Sequence, residues 1–189
     1  MKNQFSFKSI AFVALAAICM LVANDTQAQS KKLSADKNKT TVVYAATHPM
    51  HDWEGTNHKI SSAIMYDPQT KVVSSVAVLM SVANFDSQNA NRDSHMIEVL
   101  EGIKYPNISF SSSSVKVNGD KITVTGTLSF HGVPKVITFE GLQKTEGSNL
   151  VVTGTFDVKM TDYKIEAPTL MGIATDDLIK ISFTAYYPL

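Results

Sequence analysis

Cysteine is almost missing from this 189-residue chain. The one thiol, Cys19, permits neither a disulfide framework nor a thiolate zinc site. Net charge is missing as well, because 17 basic and 17 acidic side chains cancel. That removes the electrostatic footprint of a nucleic-acid binder and any polybasic membrane patch. With 9 Gly and 6 Pro the chain is neither collagenous nor of low complexity. Catalytic signatures are scarce. There is no Gly-x-Ser-x-Gly elbow, no Gly-rich phosphate loop ahead of a helix, no HExxH and no His-x-His pair. Asp176-Asp177 reads as a solvated turn, and Glu98 and Glu101 as the outer face of a short helix. The chain reads as a non-enzyme of one domain, long enough to bury a sizeable core.

The N-terminus reads as an address. Lys2 and Lys8 precede an apolar run from Ile10 to Ala23, followed by polar residues and a small-residue cleavage site at Thr26-Gln27-Ala28. This is the layout of a secretory signal peptide over residues 1–28. The run is shorter than the roughly 20 residues of a bilayer span, which disfavours an uncleaved anchor helix. Ile18 is large and the run continues past Cys19, which argues against lipid attachment there. Cleavage would take Lys2, Lys8 and Asp25, leaving a net charge of −1 and no thiol. That suits an oxidising compartment, periplasmic or secreted, with no stable membrane insertion after cleavage. Residues 29–40 (QSKKLSADKNKT) are polar and Lys-rich and read as a flexible tether.

Residues 41–189 alternate with period 2. Ile122, Val124, Leu128 and Phe130 share one face; Leu150, Val152, Phe156, Val158 and Met160 share another; so do Ile179, Ile181, Phe183, Ala185 and Tyr187. Weaker strands are expected at Thr41–His48, His58–Tyr66, Lys71–Met80, Asn107–Val117 and Pro134–Thr145. Turn signals at Asp67-Pro68, Asn118-Gly119 and Gly147-Ser148-Asn149 make consecutive hairpins. The expected fold is all-β: an antiparallel barrel of about eight strands, since closure removes exposed edges. Gly126, Gly141 and Gly154 lie inside strands, where glycine marks a bend or a close backbone approach. One stretch, 92–102, has helical spacing instead, with Met96, Val99, Leu100 and Ile103 on one stripe. Asn91 or Asp93 would cap it and Gly102 would end it. Such a helix could serve as a lid over one barrel mouth or simply fill the barrel end.

Three blocks, in this order and spacing, resemble one family. They are Phe85-Asp86-Ser87 with Arg92-Asp93-x-His95-Met96, then Tyr105-Pro106-Asn107-Ile108-Ser109-Phe110, then Gly126-Thr127-Leu128-Ser129-Phe130-His131-Gly132-Val133-Pro134-Lys135. The chain is similar to the YceI-like family of secreted bacterial proteins over most of residues 41–187. His48-Pro49-x-His51-x-Trp53-x-Gly55 is similar to a variant start in part of that family. The resemblance implies an extended, lipocalin-like barrel that holds an isoprenoid, an isoprenoid quinone or a similar amphiphilic lipid in the periplasm.

Alternation alone leaves the interior open to two readings. A barrel of this size can fill with side chains or hold one ligand. Phe130, Phe139, Phe156 and Phe183 could pack it solid, whereas Gly126, Gly154 and Ala185 would leave room. With the resemblance, the tail of a lipid is expected along Ile122, Val124, Leu128, Phe130, Phe139, Val152, Phe156, Ile181 and Phe183. Its head would lie near Arg92, His95 and His131. Arg92, the one arginine, offers a fork for phosphate or carboxylate; a structural pair with Asp93 or Asp86 is its competing role. His48 and His51 should point to opposite faces of a strand unless Pro49 breaks it. The expected activity is non-catalytic sequestration or transport, with no cofactor and no metal beyond the bound lipid or quinone. The rival readings are a haem- or metal-binding redox accessory built from the histidines, and a solid-cored domain that meets a partner through residues 29–40. A homodimer is compatible with either.

Overall fold

The computed structural model describes residues 30–189. The signal peptide expected over residues 1–28, Cys19 included, lies outside the described residues. The strands are β1 (Lys31–Ser34), β2 (Thr41–His48), β3 (His51–Asn57), β4 (Ile60–Asp67), β5 (Val72–Ser81), β6 (Phe85–Asp86), β7 (Asn107–Asn118), β8 (Lys121–Phe130), β9 (Val133–Glu146), β10 (Asn149–Lys159), β11 (Thr169–Leu170), β12 (Ile173–Ala174) and β13 (Leu178–Pro188). One helix, α1 (Ala90–Val99), interrupts them between β6 and β7.

Eleven of the strands form one antiparallel sheet in the order β1-β4-β5-β7-β8-β9-β10-β13-β2-β3-β6. β11 and β12 make a separate two-stranded ribbon. The large sheet curls strongly into a half-barrel because one face is apolar and must be covered. Along β8, Ile122, Val124 and Leu128 are buried while the threonines between them are half-buried. The seam left by the curl is bridged outside the ladders. The Asp36 N–H donates to the Tyr186 carbonyl at 2.7 Å, and Asn57 Nδ2 donates to the Ser81 carbonyl at 3.1 Å.

All eight expected strands are present as β2, β4, β5, β7, β8, β9, β10 and β13. The extra members of the sheet are β1, β3 and β6. The tether expected over residues 29–40 is corrected in part: Lys31–Ser34 pairs with Ala63–Tyr66, and Leu33 and Ala35 are buried. Leu33 lies opposite Ile64, but one leucine in a polar stretch shows no period. In β3 the buried positions are Gly55 and Asn57, so hydrophobic patterning cannot reveal it. β6 is two residues long.

Hairpins fall close to the turn signals. The β7–β8 loop is Gly119-Asp120, one residue later than Asn118-Gly119. At the β8–β9 turn, His131 and Gly132 have φ of +49° and +70°, the left-handed pair that a tight two-residue hairpin requires. Helix α1 starts earlier than expected. Its cap is Asn89, whose side chain accepts from the N–H groups of Asn91 and Arg92, each at 3.1 Å. It also ends earlier, with Glu101 rather than Gly102 in the left-handed conformation. Ile103 therefore leaves the apolar stripe and stands 96% exposed.

Candidate functional site

The half-barrel is hollow in two chambers. An upper cavity of about 170 Å³ lies beneath α1. A deeper cavity of about 100 Å³ lies toward the opposite end. Val42, Met80, Leu128, Phe156 and Ile181 line both, so the chambers abut at a shared waist. The solid-core and open-tunnel expectations are thus each half met. A cluster of rings narrows the deep chamber: Phe139 lies 5.0 Å from Phe156, 5.7 Å from Phe183 and 5.6 Å from Phe110. The room expected at Gly126 and Gly154 is occupied. A Cβ on Gly154 would come within 2.7 Å of the Phe183 ring, and one on Gly126 would meet the Phe110 ring. The glycines let those rings lie flat on the sheet. At the far end, the Ser62 and Tyr187 hydroxyls are hydrogen-bonded at 2.6 Å and help to close the bottom. Ile179 at the top and Tyr187 at the bottom are both on β13, about 26 Å apart along the strand at ~3.3 Å per residue.

Helix α1 sits across the mouth. None of its residues is fully buried, yet Met96, Val99 and Leu100 line the upper chamber. It covers the opening, with Met96, Val99 and Leu100 also packed against the core. Polar side chains stand at both ends of the lining: Tyr44, Trp53, Arg92, His95 and Thr175 at the mouth, and Thr40, Thr41, Ser62 and Tyr187 at the bottom. The Arg92 guanidinium lies 5.5 Å from the centre of the Trp53 ring. Its expected pairing with Asp93 or Asp86 is not formed. Asp93 accepts from the Ser87 hydroxyl at 2.6 Å and from the Ser87 N–H, while Asp86 accepts from the Gln88 N–H at 2.7 Å. Among the described residues Arg92 has no carboxylate within 4.0 Å. The Tyr44 hydroxyl oxygen is buried beside the Trp53 indole without a well-formed hydrogen bond, and burial, only partly offset by Trp53, holds the phenol above its usual pKa. The Tyr44 ring takes the space that a side chain on Gly55 would need. No Asp or Glu lines the upper chamber. Its polar complement is Tyr44, Trp53, Arg92, His95 and Thr175, dominated by hydrogen-bond donors.

All nine residues expected along a ligand tail line the chambers. Ile122, Val124, Phe139, Val152 and Phe183 face the deep one, Phe130 the upper one, and Leu128, Phe156 and Ile181 both. Of the head residues, Arg92 and His95 line the mouth, and His95 is also 3.4 Å from Glu98 on its outer side. His131 is a correction. It lines neither chamber and belongs to the β8–β9 turn. Its Nδ1 donates to the Tyr163 carbonyl at 2.9 Å, Nε2 lies 3.1 Å from the Glu101 carboxylate, and Tyr105 packs on its ring. For His48 and His51 the second alternative holds, because the strand breaks at Pro49. They face each other across the Pro49-Met50 turn with ring centres 5.9 Å apart. His48 is buried, and both its nitrogens are used by backbone groups. Among the described residues no three His, Cys, Asp or Glu side chains cluster as a metal site. Tyr44 and Trp53 escaped the site assignment. Tyr44 was within reach as the inward position between Val42 and Ala46, and Trp53 as the one tryptophan.

A sequence profile of the YceI-like domain matches residues 33–187. The chain belongs to the YceI-like family. Among its relatives, Protein YceI of Escherichia coli O157:H7 is 29% identical over 136 residues, covering 70% of this chain and 71% of that one. A UPF0312 protein of Pseudomonas putida is 29% identical over 171 residues, covering 85% and 88%. Two solved structures share the YceI-like fold. Burkholderia cenocepacia BcnA matches with a TM-score of 0.72 at 21% identity, covering 80% of this chain and 98% of that one. A polyisoprenoid binding domain from Saccharophagus degradans, implicated in plant cell wall breakdown, matches at 0.67 and 17% identity, covering 82% and 97%. The YceI-like match begins at residue 33, inside β1, which agrees with that segment being part of the folded unit. Among the described residues no helix is long and apolar enough to cross a membrane.

Proposed function

We propose that this protein binds and sequesters one isoprenoid-type amphiphile, without catalysis, as a carrier or reservoir in the periplasm. The observation that carries this reading is the pair of abutting apolar chambers beneath a helix, with Tyr44, Trp53, Arg92 and His95 at the mouth. A tail entering them leaves water, a gain of about 0.8 kcal/mol per buried methylene. The donor set at the top suits a head group rich in acceptor oxygens, such as a quinone or a phosphate. Arg92 and Tyr44 would hold that head, and His95 would flank it. The polyisoprenoid-binding neighbour from Saccharophagus degradans supports the ligand class. Periplasmic residence is supported by the layout of residues 1–28 and by the thiol-free body that follows.

Native mass spectrometry of the purified protein tests the proposal. The expected result is a stoichiometric adduct of a long-chain lipid that organic extraction releases. Val152→Phe, which adds a ring to the deep chamber, should abolish the adduct while the protein still folds. Empty wild-type protein with full stability would overturn the reading. The histidine-based redox alternative gains nothing from the structure, since His48 and His131 are engaged by backbone carbonyls on different turns.

A further inference from the structure

The rim of the upper chamber carries four large apolar side chains that face water. Met50 is 56% exposed at the tip of the β2–β3 hairpin, and Leu170, Met171 and Ile173 are 44%, 82% and 44% exposed on the β11–β12 ribbon. Both tips stand at the mouth. Pro168 and Thr175, at the foot of the ribbon, line the upper chamber, as do Ala46 and Trp53 from the hairpin strands. The tips are also fastened together. His48 donates from Nε2 to the Ile173 carbonyl at 3.1 Å and accepts at Nδ1 from the Met50 N–H at 3.2 Å. The Asp176 N–H donates to the Thr47 carbonyl at 2.9 Å. Two hairpin tips therefore form one fixed apolar edge.

The ribbon turn is chemically unusual. Met171 and Gly172 have φ of +53° and +79°, the central pair of a tight turn in which Asn-Gly is preferred. A methionine there is strained and is not repaid by burial.

We propose that this edge docks on a lipid bilayer and seats the mouth against the membrane, so that an apolar chain passes between bilayer and cavity without crossing water. The proposal rests on the cavity reading above. Four side chains on two narrow tips are too few for a stable protein interface, which needs roughly 800 Å² per partner. Shallow insertion of protruding apolar groups needs no complementary surface. No charged residue lies between Pro168 and Thr175, and the charges that flank the edge, Asp52, Asp176 and Asp177, are acidic, so docking is driven by apolar burial and does not require anionic lipid.

Co-sedimentation of the purified protein with phosphatidylcholine vesicles, with and without phosphatidylglycerol, tests this. Wild type should partition onto both. The double variant Leu170→Ser, Met171→Asn should partition about tenfold less, given the apolar surface removed. Asn suits the left-handed turn, so the fold is retained, and an unchanged melting midpoint verifies it. Docking is overturned if wild type stays in the supernatant, if the variant partitions equally, or if the tips instead drive a dimer that the variant abolishes. Bound lipid is measured on the same preparations before vesicles are added. Protein that holds lipid but ignores vesicles overturns docking alone; protein that docks but never holds lipid overturns the cavity reading alone.

Discussion

Tyr44 separates ligand binding from folding most sharply among single residues. Its buried hydroxyl makes no well-formed hydrogen bond, with the Trp53 indole as the one side chain beside it to offer a weak one, and an unmet buried hydroxyl costs about 1–3 kcal/mol. Tyr44→Phe should therefore leave the empty protein as stable as wild type or more so in urea melts. The same change should weaken lipid retention about tenfold, as expected for one lost hydrogen bond of roughly 1.4 kcal/mol. A residue with a purely structural role would move both measurements in the same direction. Gly154 predicts the opposite pattern. Gly154→Ala drives a methyl into the Phe183 ring, and overpacking of this kind costs about 1–3 kcal/mol. The urea midpoint should fall. Residues on strongly alternating strands were legible in the sequence, which is why the nine tail positions face the chambers. His131 was not, because its ring turns away from the chambers to the Tyr163 carbonyl, Glu101 and Tyr105, contacts made by residues distant in the sequence.

At the scale of elements, α1 covers the upper chamber. Asn89 holds its first turn, and loss of such a cap costs about 1 kcal/mol. Asn89→Ala should raise amide exchange within 90–99 and speed lipid release, with little change in exchange across β8 and β10. The helix was visible in the sequence through Met96, Val99 and Leu100, but its boundaries were not. Asn89 lies three residues before the expected start, and only the resolved backbone shows its side chain bonded to two N–H groups. β1 and β3 were invisible for a different reason. Their pairing is satisfied by backbone hydrogen bonds, while their inward residues are few or apolar in no regular order. Hydrophobic period reports burial of side chains and is silent on strands recruited by an edge.

The whole molecule should lose stability at both ends of the pH scale. Asp177 accepts from the Thr161 N–H and hydroxyl, and Asp67 from the Gln69 N–H; these bonds hold both carboxyls below the usual 3.8. A lowered folded pKa stabilises the fold above the unfolded value, and that contribution is lost as pH falls through the folded one. Burial raises the phenols of Tyr44, Tyr163 and Tyr187 above 10.0. Their contribution is complete below pH 10 and is lost as pH rises through the folded values. Urea midpoints measured against pH should be flat near neutrality and fall on both sides, and Asp177→Asn should flatten the acid side. The curled sheet itself was legible from alternation and turn spacing. The division of its interior into two chambers was not, because it depends on how Phe139, Phe156 and Phe183 pack across different strands. The central claim is that this divided interior holds a lipid chain, and an electron-density map of the protein as purified from cells tests it directly. One continuous elongated feature running past the Phe156–Ile181 waist is expected, with its polar end within hydrogen-bonding reach of Arg92 and Tyr44. Side chains closed over that path, or water alone filling it, would show that the interior holds no lipid.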